Sequence, residues 1–386
     1  MKTVVMFGST GSVGANALDV LGEHKKDFRV QGLCTCRNVG KLAQQVSRFK
    51  PQSVCVVDET KVTRLRGMIP NTVRIFSGRS GLLEFAAQNA DIAFMAISGI
   101  ACLEPLLVSL QFSRCVALAN KESLVVAGKL VRRQAKLHNT LLLPVDSEIN
   151  ALFQLLKTVK KDEINRVHIT ASGGALYACT PAQLRKVKAK QVLAHPTWRM
   201  GRRITVDSAT LVNKGFEVIE THEFFDIDYD RINIIVHRES LMHAAIELND
   251  GTFFSCFYEP DMRIPIEYAF CYPRRNGKIR KKGIFNGKKV QNCTFGPVDF
   301  KKFPLLKLVL AAAKKGDNAL TVLNASDEVA VDSFLKERIA FTDLYPILEY
   351  VYTHSPHRKI STLDEVIYWD TWARNKTKEY IEKKCC

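Results

Sequence analysis

The chain has 386 residues, 46% of them hydrophobic, with a formal net charge of +17, so it can bury more than one core and its length suggests two or three domains. No apolar run approaches the roughly 20 residues that span a bilayer, and the N-terminus "MKTVVMFGST" turns to glycine before a signal-peptide core could form; a soluble, cytoplasmic protein with no membrane partner is expected. Eleven cysteines, an odd number without a C-x-x-C pair, argue against a disulfide framework or a zinc cluster.

From the start to about Val145 short apolar runs alternate with amphipathic helices. "TVVMFG", "FRVQGLCT", "SVCVVD", "TVRIFS", "DIAFMA", "RCVALA" and "TLLLPV" read as strands. Such alternation predicts an α/β fold whose N-terminal domain, 1–146, is a doubly wound, Rossmann-type parallel sheet. The first strand runs into "FGSTGSVGANALDVL", where Gly8, Gly11 and Gly14 are spaced G-x-x-G-x-x-G ahead of a helix beginning near Ser12. Glycines there let the backbone turn tightly and approach a pyrophosphate at a helix N-terminus, which predicts dinucleotide binding. The second strand ends in "CTCRN" with no Asp or Glu for a ribose 2′-hydroxyl. Arg37 stands there instead and suits the 2′-phosphate of NADP, with an exposed loop charge as the ordinary alternative. Lys121 in "ALANKES" follows a further strand, at the end of the sheet where open α/β folds bind ligands.

"VDSEINALFQ" then places Asp146 and Glu148 one residue apart at a helix start. Acidic groups in a first turn cap orphan N–H groups and favour the helix dipole, yet they are also hard oxygen ligands of the kind Mg²⁺ or Mn²⁺ takes. Beyond this point the pattern becomes mixed α+β. It runs from "RVHITASGG" through the Pro/Gly-rich basic segment "AHPTWRMGRR" and a helix from "SATLVNKGFEVIETHEFF" to the strands "INIIVH", "LMHAAIEL" and "TFFSCFY". On that helix Asn213 and Glu217 stand at i and i+4 and face one way, so Glu217 offers a third carboxylate; Glu220 competes with it. Ser172, Ser208, Asn213 and Lys214 are the small donors and the cation that a phosphate pocket needs, although singly each reads as a turn, a cap or a solvated charge. His195 and Trp198 lie in a segment punctuated by Pro196 and Gly201, which suits a mobile cover.

"RRNGKIRKKGIFNGKK", Arg274 to Lys289, concentrates eight Lys and Arg among glycines and asparagines. It reads as a solvated loop or linker, because it carries a single aromatic, Phe285, and no groove-reading module accompanies it, and no nucleic-acid partner is expected. From Pro304 the period is helical: "PLLKLVLAAAKK", "DEVAVDSFLKERI", "LYPILEYVYTH" and "LDEVIYWDTWARNKTKEYIEKK". The expected organisation is therefore 1–146, a catalytic α+β domain 147–285 with a lid at 172–202, a linker 286–303 and a helical domain 304–386. The final Cys385-Cys386 reads as exposed, oxidisable thiols rather than a lipid anchor.

Taken together, "GSTGSVG", "ALANKESLV", "LPVDSEINALFQ", "ASGGAL", "HPTWRMGRRITVDSATLVNKGFEVIE", "PDMRIPIEYA" and "NASDEVAVDSFL" make the chain resemble, over nearly its whole length, the 1-deoxy-D-xylulose 5-phosphate reductoisomerase family. The resemblance implies an NADPH-dependent enzyme of the non-mevalonate isoprenoid pathway that works as a homodimer. It would rearrange a phosphorylated sugar and then reduce it to 2-C-methyl-D-erythritol 4-phosphate. It further implies that Asp146, Glu148 and Glu217 bind Mg²⁺ or Mn²⁺, and that Ser147, Ser172, Ser208, Asn213 and Lys214 hold the substrate together with Lys121, Glu148, His195, Trp198 and Glu217. Lys121, Glu148 and His195 would be the catalytic set. Thr10, Gly11, Ser12, Val13, Arg37, Asn38, Asn120, Glu122 and Gly201 would line the cofactor site, and the segment around His195 to Met200 would be the lid. Ala175 stands where the family commonly has proline, Ile149 where it has histidine, and "HRES" at His237 to Ser240 replaces a His-Pro-Gln-Ser-like turn. None of these removes a proposed ligand. Two other readings of the residues themselves stay open: a metal-independent NADP-linked dehydrogenase acting on an aldehyde, and a nucleic-acid-binding module.

Overall fold

The computed structural model describes residues 1–279, 284 and 292–385. Part of the expected basic loop, the start of the expected linker, the side chain of Cys385 and all of Cys386 lie outside the described residues. The chain forms two compact units: Met1–Ser123 with Val131–Asn150 and Asp261–Lys281, and Leu124–Leu130 with Ala151–Pro260 and Lys282–Cys386.

The first unit is built on seven strands: β1 (Lys2–Phe7), β2 (Phe28–Thr35), β3 (Ser53–Val56), β4 (Arg74–Ser77), β5 (Ala90–Met95), β6 (Ser113–Leu118) and β7 (Leu141–Pro144). They correspond to the seven apolar runs read from the sequence, and every pairing between them is parallel. The order is β4-β3-β2-β1-β5-β6-β7. Val4, Val5, Met6 and Phe7 are all buried in succession, because a parallel sheet covered by helices on both faces hides both sides of its central strands. Winding outward from β1 to β4 and then returning to β5 puts the topological switch point at the carboxyl ends of β1 and β5. The helix Arg263–Cys271 also packs in this unit. His24 Nε2 lies 2.7 Å from Glu267 Oε1, and the rings of Phe94 and Phe270 stack at 5.2 Å.

The second unit carries a four-stranded sheet in the order β11-β10-β8-β9, with β8 (Ile164–Ala171), β9 (Ile232–Val236), β10 (Met242–Leu248) and β11 (Phe253–Phe257). β8 runs parallel to β9 and antiparallel to β10. Where the sequence reads one helix from Ser208 onward, the structure has two, Arg202–Thr210 and Val212–Phe225, broken at Leu211, which adopts φ 60° and ψ 13°. A leucine in the left-handed region is uncommon, and here it turns the chain between two substrate-candidate segments. Helix Val212–Phe225 is buried on nearly every side. Val218 joins the core of Val167, Ile169, Ile234 and Ile246, while Phe216 and Ile219 join that of Leu305, Val309 and Leu323. Gly215 allows this close packing, since a Cβ there would lie 2.6 Å from Val309 Cγ1.

The helices Pro304–Lys315, Asn318–Leu335, Leu344–Thr353 and Leu363–Cys385 complete the unit. The second of these starts nine residues before the expected "DEVAVDSFL" run because Asn318 is tied to the loop ahead of the last helix, donating to the Pro356 carbonyl at 2.9 Å. Among the described residues no helix is long and apolar enough to cross a membrane.

Candidate active site

The dinucleotide turn is set by sterics at two of its glycines. Gly8, at φ 74°, ends β1, and a Cβ there would lie 2.3 Å from the Ala96 carbonyl oxygen; at Gly14 a Cβ would lie 2.3 Å from the Gly8 oxygen. No side chain fits at either position, so the turn stays tight and Gly11 stands as N-cap of the helix Ser12–Glu23. Backbone N–H groups at that end are free to meet an anion. Thr10 is fixed from two sides: its hydroxyl is 2.6 Å from that of Thr35, and Lys41 Nζ donates to its carbonyl at 2.9 Å. Lys41 was not expected from the sequence. It follows the N-cap Asn38, whose Oδ1 accepts from the Lys41 N–H at 3.1 Å, so its place one turn into a helix that starts beside the glycine turn was the available signal.

Arg37 is 78% exposed at its side chain and lies 3.5 Å from Asp58 Oδ2, a partner at the end of β3 that spacing could not announce. Asn120 donates to the carbonyls of Ile97 and Gly99 at 2.8 and 3.1 Å and to Glu122 Oε2 at 2.9 Å; Glu122 accepts from the Gly99 N–H at 3.2 Å. These bonds stitch together the loops after β5 and β6, one strand from the glycine turn.

The same unit holds the first carboxylates. Asp146 follows β7 and caps the helix Ser147–Leu155, its Oδ1 accepting from the Glu148 N–H at 3.3 Å. The bland reading of the acidic pair as a helix start is therefore correct as structure. Asn150 fixes the entry angle by donating to the Pro144 carbonyl at 2.8 Å. Lys121, only 5% exposed, donates to Asp146 Oδ2 at 2.6 Å. Ser147 donates to Glu148 Oε2. Desolvating a lysine and an aspartate is expensive and their attraction roughly breaks even, so this pair is poor value as a stabilising device. Chemistry is the better account of its retention.

The second unit assembles the remaining candidates. His195 Nδ1 accepts from the backbone N–H groups of Thr197 and Trp198 at 3.2 and 3.0 Å, so the ring proton belongs on Nε2, which lies 3.0 Å from Ser172 Oγ. Burial, with the Arg238 charge, pushes the imidazole down to about 4 from an ordinary 6.5. It is thus a neutral N–H donor at physiological pH. Gly174 sits against the end of helix Arg202–Thr210, where a Cβ would lie 2.6 Å from Ala209 Cα and 2.7 Å from the Ser208 carbonyl oxygen, and this holds the Ser172 turn beside Ser208.

After the Leu211 break, Asn213 Nδ2 donates to Glu217 Oε1 at 2.6 Å and Lys214 Nζ to Glu217 Oε2. Glu217 and Lys214 are 1% and 3% exposed. The choice that the sequence left open between Glu217 and Glu220 is narrowed by these bonds, which tie the first to two of the four phosphate-site candidates. Trp198 rests edge-on against His243 at 6.1 Å, and His243 stacks on Tyr258 at 3.8 Å. That aromatic seat is formed by residues on and beside β10 and β11, and sequence reasoning missed it because its members are 45 and 60 positions from the tryptophan. Gly201 is N-cap of the helix Arg202–Thr210 and lies in this second unit, whereas the other cofactor candidates lie in the first.

A glycine-walled turn at the switch point of a doubly wound parallel sheet, with acidic, amide and lysine side chains at loop ends, is the architecture of dinucleotide-dependent oxidoreductases. Three family models match: 1-deoxy-D-xylulose 5-phosphate reductoisomerase over residues 4–128, its C-terminal domain over 142–225, and the DXP reductoisomerase C-terminal domain over 258–376. Among curated proteins, the 1-deoxy-D-xylulose 5-phosphate reductoisomerase of Thermoanaerobacter sp. (strain X514) is 41% identical over 100% of this chain and 99% of its own. That of Pelodictyon phaeoclathratiforme is 40% identical over 99% and 100%. Among solved structures, the Zymomonas mobilis enzyme in complex with NADPH superposes with a TM-score of 0.90 at 33% identity, covering 99% of this chain and 98% of that one. A DOX-P reductoisomerase in complex with NADPH, fosmidomycin and magnesium superposes at 0.91 and 31%, with the same coverage. The chain belongs to the 1-deoxy-D-xylulose 5-phosphate reductoisomerase family.

Proposed function

We infer that this protein converts 1-deoxy-D-xylulose 5-phosphate to 2-C-methyl-D-erythritol 4-phosphate with NADPH and a divalent metal ion, in non-mevalonate isoprenoid biosynthesis. The observation that carries the reading is the state of Glu217: a carboxylate 1% exposed, gripped by Asn213 and Lys214 in a helix whose other faces are packed core. A group so expensive to desolvate is retained for what it binds. Asp146 and Glu148, half-buried on their helix start, supply the same hard oxygen chemistry, and the three together fit Mg²⁺ or Mn²⁺ by donor type. When bound, that ion polarises the ketone and its neighbouring hydroxyl as a Lewis acid, and NADPH supplies the hydride.

The chain's own groups have these roles in the reading. The glycine turn with Thr10, Gly11, Ser12 and Val13 takes the pyrophosphate, Arg37 and Asn38 the 2′-phosphate end, and Asn120, Glu122 and Gly201 the remainder of the cofactor. Arg37 would leave Asp58 for the phosphate, a stronger acceptor for a guanidinium fork than an exposed carboxylate at 3.5 Å. Ser172, Ser208, Asn213 and Lys214 bind the substrate phosphate, joined by the Nε2–H of His195, a neutral donor that positions the anion and transfers no proton. Ser147 and Glu148 take the hydroxyl end. Lys121 holds or gives a proton at Nζ, where its bond to Asp146 fixes the ammonium. Trp198 covers the substrate and excludes water from its seat on His243. Phosphate binding remote from the reacting carbons supplies positioning.

The finer parts of this reading are a homodimeric assembly and a cytoplasmic location. The nine described cysteines whose side chains are placed are thiols rather than disulfides, which supports the latter. The test is spectrophotometric NADPH oxidation on adding 1-deoxy-D-xylulose 5-phosphate with Mn²⁺. Turnover that stops on thorough EDTA treatment and returns with Mn²⁺ is expected. Turnover that survives EDTA would favour a metal-independent dehydrogenase instead.

A further inference from the structure

The second unit buries a charge cluster that none of the roles above uses. Arg203, in the first turn of helix Arg202–Thr210, donates from Nη1 to Glu328 Oε1 at 2.7 Å and from Nη2 to Asn324 Oδ1 at 3.1 Å and Asp327 Oδ2 at 3.2 Å. Its Nε lies 3.5 Å from Asp207 one turn on. Behind it Arg374, on helix Leu363–Cys385, donates to the other oxygen of Glu328 and to both oxygens of Asp370, at 2.6 and 3.0 Å. Two guanidiniums thus face four carboxylates. Asp207, Asp327 and Asp370 are 5%, 2% and 7% exposed. Burial pushes Asp327 up to about 6 against the pull of Arg203. At Glu328 burial is outweighed by the two guanidiniums, and its pKa falls.

A buried set with more acids than bases is a poor source of stability compared with apolar side chains of the same volume. Its value is directional, because a guanidinium fork fixes angles that apolar contact leaves loose. The helix it moors has only Val206 and Ala209 as buried apolar residues, too few to set its orientation by packing alone. Its N-cap is Gly201, just after the Trp198 segment; near its other end is Ser208, with Gly174 against it, and the Leu211 turn leads directly to Asn213.

We propose that Arg203, gripped by Asp327 and Glu328 and backed by Arg374, is a positioning residue that fixes where Ser208 stands for the phosphate end of the substrate. The proposal rests on Ser208 being a phosphate contact. It specifies an arginine at 203, since a lysine keeps the charge but cannot reach three acceptors on one helix at once.

Steady-state kinetics on the full chain test it, comparing Arg203→Lys, Glu328→Gln, the double variant and Ser208→Ala, each first verified as folded by circular dichroism. In Arg203→Lys the KM for 1-deoxy-D-xylulose 5-phosphate should rise about tenfold and competitive inhibition by inorganic phosphate should weaken in parallel, on the scale of one lost charged hydrogen bond. The KM for NADPH should stay within about twofold and kcat should fall less than about threefold on the same bond scale. Adding Glu328→Gln should cost little more, because both act through one grip. A folded Arg203→Lys with unchanged substrate KM, beside a Ser208→Ala whose KM rises, would overturn the proposal alone. A general loss in kcat and both KM values would also overturn it. An inert Ser208→Ala would instead remove the phosphate reading beneath it.

Discussion

His195 shows how a single side chain can be assigned from its partners. Two backbone N–H groups point at Nδ1, so protonating that atom would destroy both bonds as well as desolvate a charge. The neutral ring is favoured by geometry and by burial together. Above the ordinary 6.5 the ring is neutral whether the chain is folded or not, and its contribution to stability is full. As pH falls from 6.5 toward about 4 only the unfolded chain takes up the proton, and that contribution is lost. Titration of ring-labelled protein by NMR should therefore give His195 a midpoint near 4, and an ordinary midpoint near 6.5 would contradict the assigned tautomer. Lys121 and Asp146 are the other instructive pair. Both were visible as residue types at strand ends, yet their bond across 25 positions was not, because sequence spacing does not say which loops of a sheet lie side by side.

At the scale of elements, periodicity carried the parallel sheet: seven apolar runs became seven parallel strands because a strand buried on both faces must be continuously apolar. The i, i+4 relation of Asn213 and Glu217 was legible for the same kind of reason, being internal to one helix. What stayed hidden was the break at Leu211, where no glycine or proline marks it, the one glycine of "SATLVNKGFEVIE", Gly215, standing four residues later inside the second helix, and the grip of Arg203 on Asn324, Asp327 and Glu328, which depends on the packing of two distant helices. The Gly173-Gly174 pair after Ser172 is a partial sign, since Gly174 has φ 68° and a Cβ there would press on Ala209. Gly174→Ala should cost about 1–3 kcal/mol from the left-handed backbone and the overlap, and should weaken substrate binding more than NADPH binding, because the displaced segment carries Ser172. Thermal unfolding and the two KM values check this. An alanine variant with wild-type stability and substrate KM would contradict the packing argument.

At the scale of the whole molecule, the excess of 56 Lys and Arg over 39 Asp and Glu fits a protein whose substrate and cofactor both carry phosphate, since a positive field raises their local concentration. The basic stretch that contributes most to it falls largely outside the described residues, so its contribution is one of composition. Family membership and the fold agree on a dinucleotide-binding sheet in the first unit, and the residues proposed for the substrate phosphate and the cover belong to the second. The first unit gathers segments from before Asn150 and from Asp261–Lys281. Nothing in the local pattern of "PDMRIPIEYAF" signals that excursion, whose evidence is long-range: Glu267 on His24 and Phe270 on Phe94.

Asp146, Glu148 and Glu217 are proposed to serve the metal-dependent reduction, and Glu217 is where that assignment is most directly tested. Glu217→Gln keeps the shape and the Asn213 contact while removing the charge. Mn²⁺-dependent NADPH oxidation with 1-deoxy-D-xylulose 5-phosphate should then fall by at least about 100-fold, no less than the roughly 10–100-fold cost of removing a mere hydrogen-bonding partner of a metal ligand, in a protein whose circular dichroism and NADPH binding match the wild type. Near wild-type turnover in that variant would rule out Glu217 as a metal ligand.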